Sequence, residues 1–225
     1  MATSKMGFFL LGLSVIALGI VLGTALWLKL GPKPQLVGLQ QQPLEDLNRY
    51  GSVPEFALVE RSGKRTTLAD LRGTVWIADF IYTSCKDTCP LQTAAMAKLQ
   101  DDWQGKVGVK LVSFTVDPER DTIEALSRYA EAYKADSSRW LFLTGAKEQL
   151  ARLVQEGFRL SAAVAPSDGN ANGVILHSPR FVLVDKEGQI RGYYDSRDGE
   201  ALQRLQKDVA RLLDEDRSSS NGQAS

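Results

Sequence analysis

Residues 74–90 read TVWIADFIYTSCKDTCP, and this stretch decides the fold. Thr74 to Tyr82 is rich in aromatic and β-branched side chains, a composition that predicts a strand buried in the middle of a sheet. Cys85 and Cys89 follow at the point where a helix is expected to begin. The pair is therefore placed at a strand-to-helix junction, where a chemical role is expected.

Strand and helix patterns alternate along the rest of the chain. Further strands are predicted over 56–60, 107–116, 140–145 and in a hairpin over 180–194 that turns at 186–188. Helices are predicted over 90–103, 121–133, 146–156 and 199–214. This order predicts an α/β fold, a thioredoxin-like sandwich with a mixed central sheet.

An apolar segment precedes the predicted sheet. Residues 7–28 carry no charge and are numerous enough to cross a bilayer core of about 30 Å as one helix. A cleaved signal peptide is the alternative, because Lys5 precedes the segment and Ala17-Leu18-Gly19 is a candidate cleavage site. The apolar run continues well past that site, which favours an uncleaved transmembrane anchor.

The chain is predicted to have four parts. Residues 1–30 form the membrane anchor, and residues 31–52, with their PKPQ and QQQP motifs, form an extended spacer. Residues 53–216 form the thioredoxin-like domain. Residues 217–225 are small and polar, which predicts a disordered tail.

The composition excludes two classes of protein. The 27 basic and 27 acidic side chains give no net charge, so no nucleic acid partner is expected. Two cysteines in 225 residues cannot make a disulfide-stapled fold. One isolated pair is more typical of a metal site or a redox site.

Two thiolates at the start of a helix suit a soft metal. Unpaired N–H groups and the helix dipole favour the thiolate, which binds metals and attacks disulfides. On a regular helix, cysteines four residues apart have Cβ atoms about 5–6 Å apart, so a disulfide needs local distortion, whereas both sulfurs can bind one metal. The alternative, two cysteines that only pack, is disfavoured by the polar Lys-Asp-Thr between them.

His177 is the only histidine and comes just before the predicted strand RFVLVD. In a thioredoxin-like sandwich, the loop before that strand approaches the helix that carries the cysteines. His177 is therefore expected to complete a site with Cys85 and Cys89, for which copper or zinc is the suitable metal. The alternative is an ordinary polar histidine on the surface.

Three segments carry a family resemblance. ADFIYTSCKDTCP (78–90), FTVDPERDT (114–122) and LHSPRFVLVDKEGQI (176–190) occur in the order and spacing of the Sco/SenC family, which the chain resembles from about Val53 to Leu213. Two positions depart from the usual pattern. Lys86 replaces a proline after the first cysteine, and Ile123 replaces a proline at the start of the next helix.

The resemblance implies a copper protein on a membrane anchor. The ligands of Cu(I) or Cu(II) would be Cys85, Cys89 and His177, and the role would be assembly of the dinuclear copper centre of cytochrome c oxidase. The partner would be the oxidase subunit that carries that copper, or another copper donor or acceptor. Such a chaperone is not an enzyme. The domain would face the periplasm from the bacterial inner membrane, or the intermembrane space of mitochondria.

The orientation implied by the family differs from the charge count. Lys5 lies on one side of the apolar segment and Lys29 and Lys33 on the other, which weakly favours a cytoplasmic carboxyl end.

In the VDPERDT segment, Asp121 or Thr122 is predicted to cap a helix. Asp117 and Arg120 are candidates for hydrogen bonds around the metal ligands.

A thiol-disulfide oxidoreductase is the alternative function. Cys85 would attack a disulfide, Cys89 would resolve the mixed disulfide, and Asp79, six residues before Cys85, would shuttle a proton with a raised pKa. Ser178-Pro179 stands where thioredoxins place a cis-proline. Thiol peroxidase activity is a weaker third alternative, because no feature for peroxide recognition is found.

Overall fold

The computed structural model describes residues 47–86, 88–160 and 178–221, and describes side chains as far as residue 215. The predicted anchor, most of the predicted spacer and His177 lie outside these ranges. Across the ranges described, no helix combines the length and apolar character needed to cross a membrane.

Eight strands and four α-helices make up the described chain. The strands are β1 (Gly51–Ser52), β2 (Ala57–Glu60), β3 (Arg65–Thr67), β4 (Val75–Ile81), β5 (Val109–Thr115), β6 (Trp140–Thr144), β7 (Arg180–Val184) and β8 (Gln189–Asp195). The helices are α1 (Thr88–Asp102), α2 (Ile123–Ala132), α3 (Lys147–Arg152) and α4 (Gly199–Asn221). The strands form one sheet in the order β1-β8-β7-β4-β5-β6-β2-β3.

β4 lies inside the sheet and carries the chain to the cysteines. It pairs in parallel with β5 and antiparallel with β7, so the sheet is mixed, as the sequence predicts. Every residue of β4 is buried, since the sheet covers its edges and helices cover its faces. The apolar run from Val75 to Ile81, interrupted only by Asp79, is the sequence signature of such a strand.

The sheet separates two hydrophobic clusters. Trp76, Ala78 and Phe80 of β4 point to one face and pack with the residues of α3 and the turn of helix that follows it. Val75, Ile77 and Ile81 point to the other face, which α1, α2 and α4 cover. This alternation follows from the two-residue period of a strand. By the same period, the odd-numbered Asp79 is directed to the α1 side.

The predicted elements are present, and their ends differ in places. α1 begins at Thr88 rather than Pro90, and Thr122, one of the two predicted caps, is the N-cap of α2: its hydroxyl accepts the N–H of Ala125 at 3.3 Å. α3 is short and continues as a turn of π-helix over Leu153–Gly157. At the end of the described chain, α4 continues to Asn221, past the predicted end at residue 214.

Two short strands extend the sheet beyond the prediction. β1 pairs with β8, in register at Gly51 and Ile190, and lies upstream of the predicted start of the domain. β3 forms a hairpin with β2 at the opposite edge. Strands of two and three residues are too short to leave a periodic pattern in the sequence.

Candidate functional site

Both cysteines lie at the junction between β4 and α1. β4 ends at Ile81, a turn follows, and Cys89 is the second residue of α1. The two residues are thiols without a disulfide between them. Both residues are buried, Cys89 fully and Cys85 with 9% exposure, so Cys85 is the more accessible of the two.

Cys85 lies in the turn before the helix. The cysteine spacing of a regular helix therefore does not apply to this pair, because α1 begins three residues after Cys85. Instead, the N–H of Cys89 donates to the Cys85 sulfur at 3.4 Å, and the N–H of Cys85 donates to the carbonyl of Tyr82 at 3.2 Å. The Cys85 sulfur thus accepts one of the N–H groups that a helix start leaves without a partner.

The environment of Cys89 favours the protonated thiol. Burial raises the pKa of the Cys89 thiol above its ordinary value of 9.0, and a hydrogen bond from the backbone of Tyr82 opposes that rise. Cys85 and the negative charge of Asp79 raise it further. A metal or a disulfide partner must therefore displace a proton from Cys89 to use its sulfur.

Asp79 is a buried acid beneath this junction. Among the described residues, neither of its carboxylate oxygens makes a hydrogen bond of good geometry. Burial raises the pKa of Asp79 to about 7, and the hydroxyl of Ser113, its neighbour in register on β5, opposes the rise. The raised pKa agrees with the expectation from sequence and allows proton exchange near neutral pH.

Asp121 has a role that the sequence did not predict. Its carboxylate is fully buried and accepts hydrogen bonds from the backbone N–H of Thr83 at 3.1 Å and from the hydroxyls of Thr83 and Thr115, each at 2.5 Å. Asp121 is therefore not the cap of α2. The contact with Thr83 spans 38 positions of sequence, which local patterns cannot reveal.

Asp117 and Arg120 form an ion pair with each other. The guanidinium of Arg120 lies 3.5 Å from the Asp117 carboxylate, and its side chain is 64% exposed. The N–H of Asp117 donates to the Thr115 hydroxyl at 3.0 Å. The Thr115 hydroxyl therefore contacts both residues, because it accepts the Asp117 N–H and donates to the Asp121 carboxylate.

The strand that follows His177 begins at the cysteine end of the sheet. β7 runs antiparallel to β4, with Val182 opposite Ala78 and Val184 opposite Trp76, so its first residues lie near the end of β4. The Ser178–Pro179 bond is trans, unlike the cis-proline that thioredoxins place at this position. Within the described ranges, which exclude His177, no three His, Cys, Asp or Glu side chains group into a metal site.

Comparison with known proteins identifies the family of this chain. A family model described as SCO1/SenC matches residues 45–214. The chain belongs to the SCO1/SenC family. The resemblance seen in the sequence is thereby confirmed, and the mixed α/β sheet matches the fold of family members.

Several SCO1/SenC relatives are similar over most of the chain. The SCO1 protein homolog of Bacillus subtilis is 33% identical over 68% of this chain and 78% of its own length. A candidate copper-binding protein of Stutzerimonas stutzeri is 30% identical over 76% of this chain and 81% of its own length. The mitochondrial SCO2 homolog of Bos taurus is 33% identical, and the chain spans 65% of it.

A solved structure agrees with the fold. BsSco, a member of the Sco family of cytochrome c oxidase assembly proteins in which a disulfide switch is identified, has a TM-score of 0.63 to this chain at 31% identity. The match covers 75% of this chain and 96% of BsSco. The similarity therefore extends over nearly all of that structure.

Proposed function

We propose that this chain binds copper through Cys85, Cys89 and His177 and delivers it during assembly of the dinuclear copper centre of cytochrome c oxidase. The observation that carries the proposal is the contact between the two cysteines. The N–H of Cys89 donates to the Cys85 sulfur at 3.4 Å, so both cysteines lie together at the start of one helix.

The donor set suits copper. Thiolates are soft ligands that select Cu(I), and an added imidazole suits Cu(II). The Stutzerimonas stutzeri relative supports copper over zinc. Since copper is cargo here, the site must also release it, and Cys85, the less deeply buried cysteine, provides the sulfur that an acceptor would reach first.

The third ligand is proposed from the direction of β7. His177 precedes Ser178 and Pro179, which lead into β7 at Arg180. β7 begins at the end of the sheet where β4 leads into the turn that carries Cys85. A ligand a few residues before β7 would therefore be close in sequence to that end of the sheet. No other histidine exists in the sequence to take that place.

The remaining expectations from sequence complete the proposal. Residues 1–30 would anchor the protein in a membrane, residues 31–52 would space the domain from it, residues 53–216 would form the copper domain, and residues 217–225 would be the tail. The domain would act outside the cytoplasm. Its acceptor would be the oxidase subunit that carries the copper centre, a role in keeping with oxidase assembly by BsSco.

A second function, thiol-disulfide exchange, is favoured by Asp79. The sulfur of Cys85 would attack a target disulfide, releasing one target thiolate and forming a mixed disulfide. The Cys89 sulfur would then displace the second target thiolate, leaving the target reduced and a Cys85–Cys89 disulfide. Asp79, whose pKa burial raises to about 7, would accept the Cys89 proton.

A copper titration tests the proposal. The full chain, purified in detergent with reduced thiols, is titrated with Cu(II) beside Cys85→Ser and His177→Ala. The proposal expects one tightly bound copper per chain, with a sulfur-to-copper charge-transfer band that both substitutions abolish. Weak binding that is indifferent to His177, combined with intact disulfide reduction, would leave only the oxidoreductase.

A further inference from the structure

Asp121 is connected to both cysteines through two residues. Its carboxylate accepts the N–H and the hydroxyl of Thr83, which fixes that residue in position. The preceding residue, Tyr82, contacts Cys85 through its backbone, since its carbonyl accepts the Cys85 N–H at 3.2 Å. The Cys85 sulfur in turn accepts the Cys89 N–H at 3.4 Å. Tyr82-Thr83 thus lies between the carboxylate and the two sulfurs.

The position of Asp121 is itself held by the sheet. Thr115, the last residue of β5, donates its hydroxyl to Asp121 and is in register with Ile81, the last residue of β4. The N–H of Asp121 donates to the Asp117 carbonyl at 2.9 Å. The carboxylate therefore ties the turn after β4 to the end of β5 within the protein interior.

Helix capping does not account for this arrangement. Thr122, the next residue, already caps α2 through its hydroxyl. The Asp121 side chain instead lies in the protein interior. Burial of a carboxylate costs free energy unless several hydrogen-bond donors compensate for the lost water. Here both threonine hydroxyls and one backbone N–H supply those hydrogen bonds, and two of the three come from Thr83.

We propose that Asp121 is a positioning residue that, through Thr83 and Tyr82, holds Cys85 and Cys89 in the arrangement of the dithiol. The inference rests on the proposed function in that it concerns the same sulfur pair. In the dithiol the Cys85 sulfur accepts the Cys89 N–H at 3.4 Å, and contacts that hold this arrangement favour the dithiol over the disulfide. Loss of the Asp121 contacts should shift the equilibrium towards the disulfide.

Equilibration of the full chain with glutathione measures this shift without copper. Two glutathione thiols reduce the Cys85–Cys89 bond, their protons pass to the two cysteine thiols, and one glutathione disulfide forms. Asp121→Asn and Thr83→Val should each favour the protein disulfide by at least about tenfold in the equilibrium constant, about 30 mV for two electrons. Thr83→Ser keeps both donors and should stay within about twofold of the parent by the same relation.

Asp185→Asn is the matched control. Asp185 is also buried and accepts three hydrogen bonds, but it follows β7 at the opposite end of the sheet, next to the start of β4. Its substitution should lower the melting temperature and leave the glutathione equilibrium unchanged. If Asp121→Asn does not fold, Thr115→Val removes one donor alone and should shift the equilibrium in the same direction by less.

The outcomes separate this inference from the copper proposal. Equilibrium constants of Asp121→Asn and Thr83→Val that match the parent would overturn the positioning role even in a protein that binds copper. An equal shift in Asp185→Asn would overturn it too, since general destabilisation would then be the cause. A shift confined to the Asp121 and Thr83 variants would support the role even in a parent that binds no copper.

Discussion

The sulfur of Cys85 accepts the backbone N–H of Cys89 at 3.4 Å, so the first cysteine contacts the first turn of the helix that contains the second. This relationship gives the two thiols unequal positions. Cys85 lies in the turn and keeps 9% of its surface exposed, whereas Cys89 is fully buried. An incoming copper ion or disulfide would therefore meet Cys85 first.

Alkylation should distinguish the two thiols. Cys85 is expected to react with iodoacetamide at least about tenfold faster than Cys89, because reaction requires an accessible thiolate and burial raises the pKa of Cys89. Mass spectrometry of peptides from a time course measures both rates in one sample. The single variants Cys85→Ser and Cys89→Ser give each rate alone, and similar rates in the two would contradict the assignment.

Copper affinity should increase with pH. A thiol must lose its proton to bind copper, and burial raises the pKa of Cys89 above its ordinary value. Between pH 6 and 8 the apparent Cu(I) affinity should rise on the order of tenfold per pH unit for each proton released. Competition with a chromophoric chelator measures the slope. Cys89→Ser should show a smaller slope, and an unchanged slope would rule out proton release from Cys89.

Asp79→Asn should stabilise the protein more at high pH than at low pH. Because the pKa of Asp79 is raised from 3.8 to about 7 in the folded chain, its ionisation opposes folding. This destabilisation is absent below pH 3.8, grows as pH rises and is complete above pH 7. At about 1.4 kcal/mol per pKa unit, the gain from Asp79→Asn should be about 2–3 kcal/mol larger at pH 8 than at pH 5.

Urea unfolding of the parent and Asp79→Asn at the two pH values measures this difference. Both proteins must have the same dependence on urea for the comparison to hold. A gain that does not change with pH would show that Asp79 keeps an ordinary pKa. It would also remove the basis for Asp79 as the proton acceptor of Cys89 in disulfide exchange.

Thr122→Ala should affect stability alone. Its hydroxyl caps α2 by accepting the Ala125 N–H at 3.3 Å, and loss of such a cap costs about 1 kcal/mol. Thermal unfolding measures the loss. Copper stoichiometry and the glutathione equilibrium should match the parent, and a change in either would mean that the loop before α2 affects the site beyond the contacts of Asp121.

The sequence predicted the elements whose patterns are local. β4 is recognisable because a fully buried strand is almost entirely apolar, here with Asp79 as the exception. The β7–β8 hairpin is recognisable because apolar runs flank Lys186-Glu187-Gly188. The start of α1 was less certain, since Pro90 is compatible with any position in the first helical turn. The predicted start at Pro90 is therefore two residues later than the observed start at Thr88.

Local sequence patterns do not reveal contacts between segments that are distant in sequence. Asp121 is a good capping residue by type, and only the approach of Thr83, 38 positions away, reveals its inward direction. β1 is similar, because its strand conformation depends on pairing with β8, and two residues carry no period of their own. In both cases the deciding partner lies on a neighbouring strand or turn that is remote in sequence.

X-ray absorption at the copper edge tests the central claim most directly. The full chain loaded with one equivalent of Cu(II) should show two sulfur ligands and a histidine nitrogen. In His177→Ala loaded with Cu(I), the histidine signal should be absent while both sulfurs remain. A spectrum with one sulfur or none, or a histidine signal that persists without His177, would contradict a site made of Cys85, Cys89 and His177.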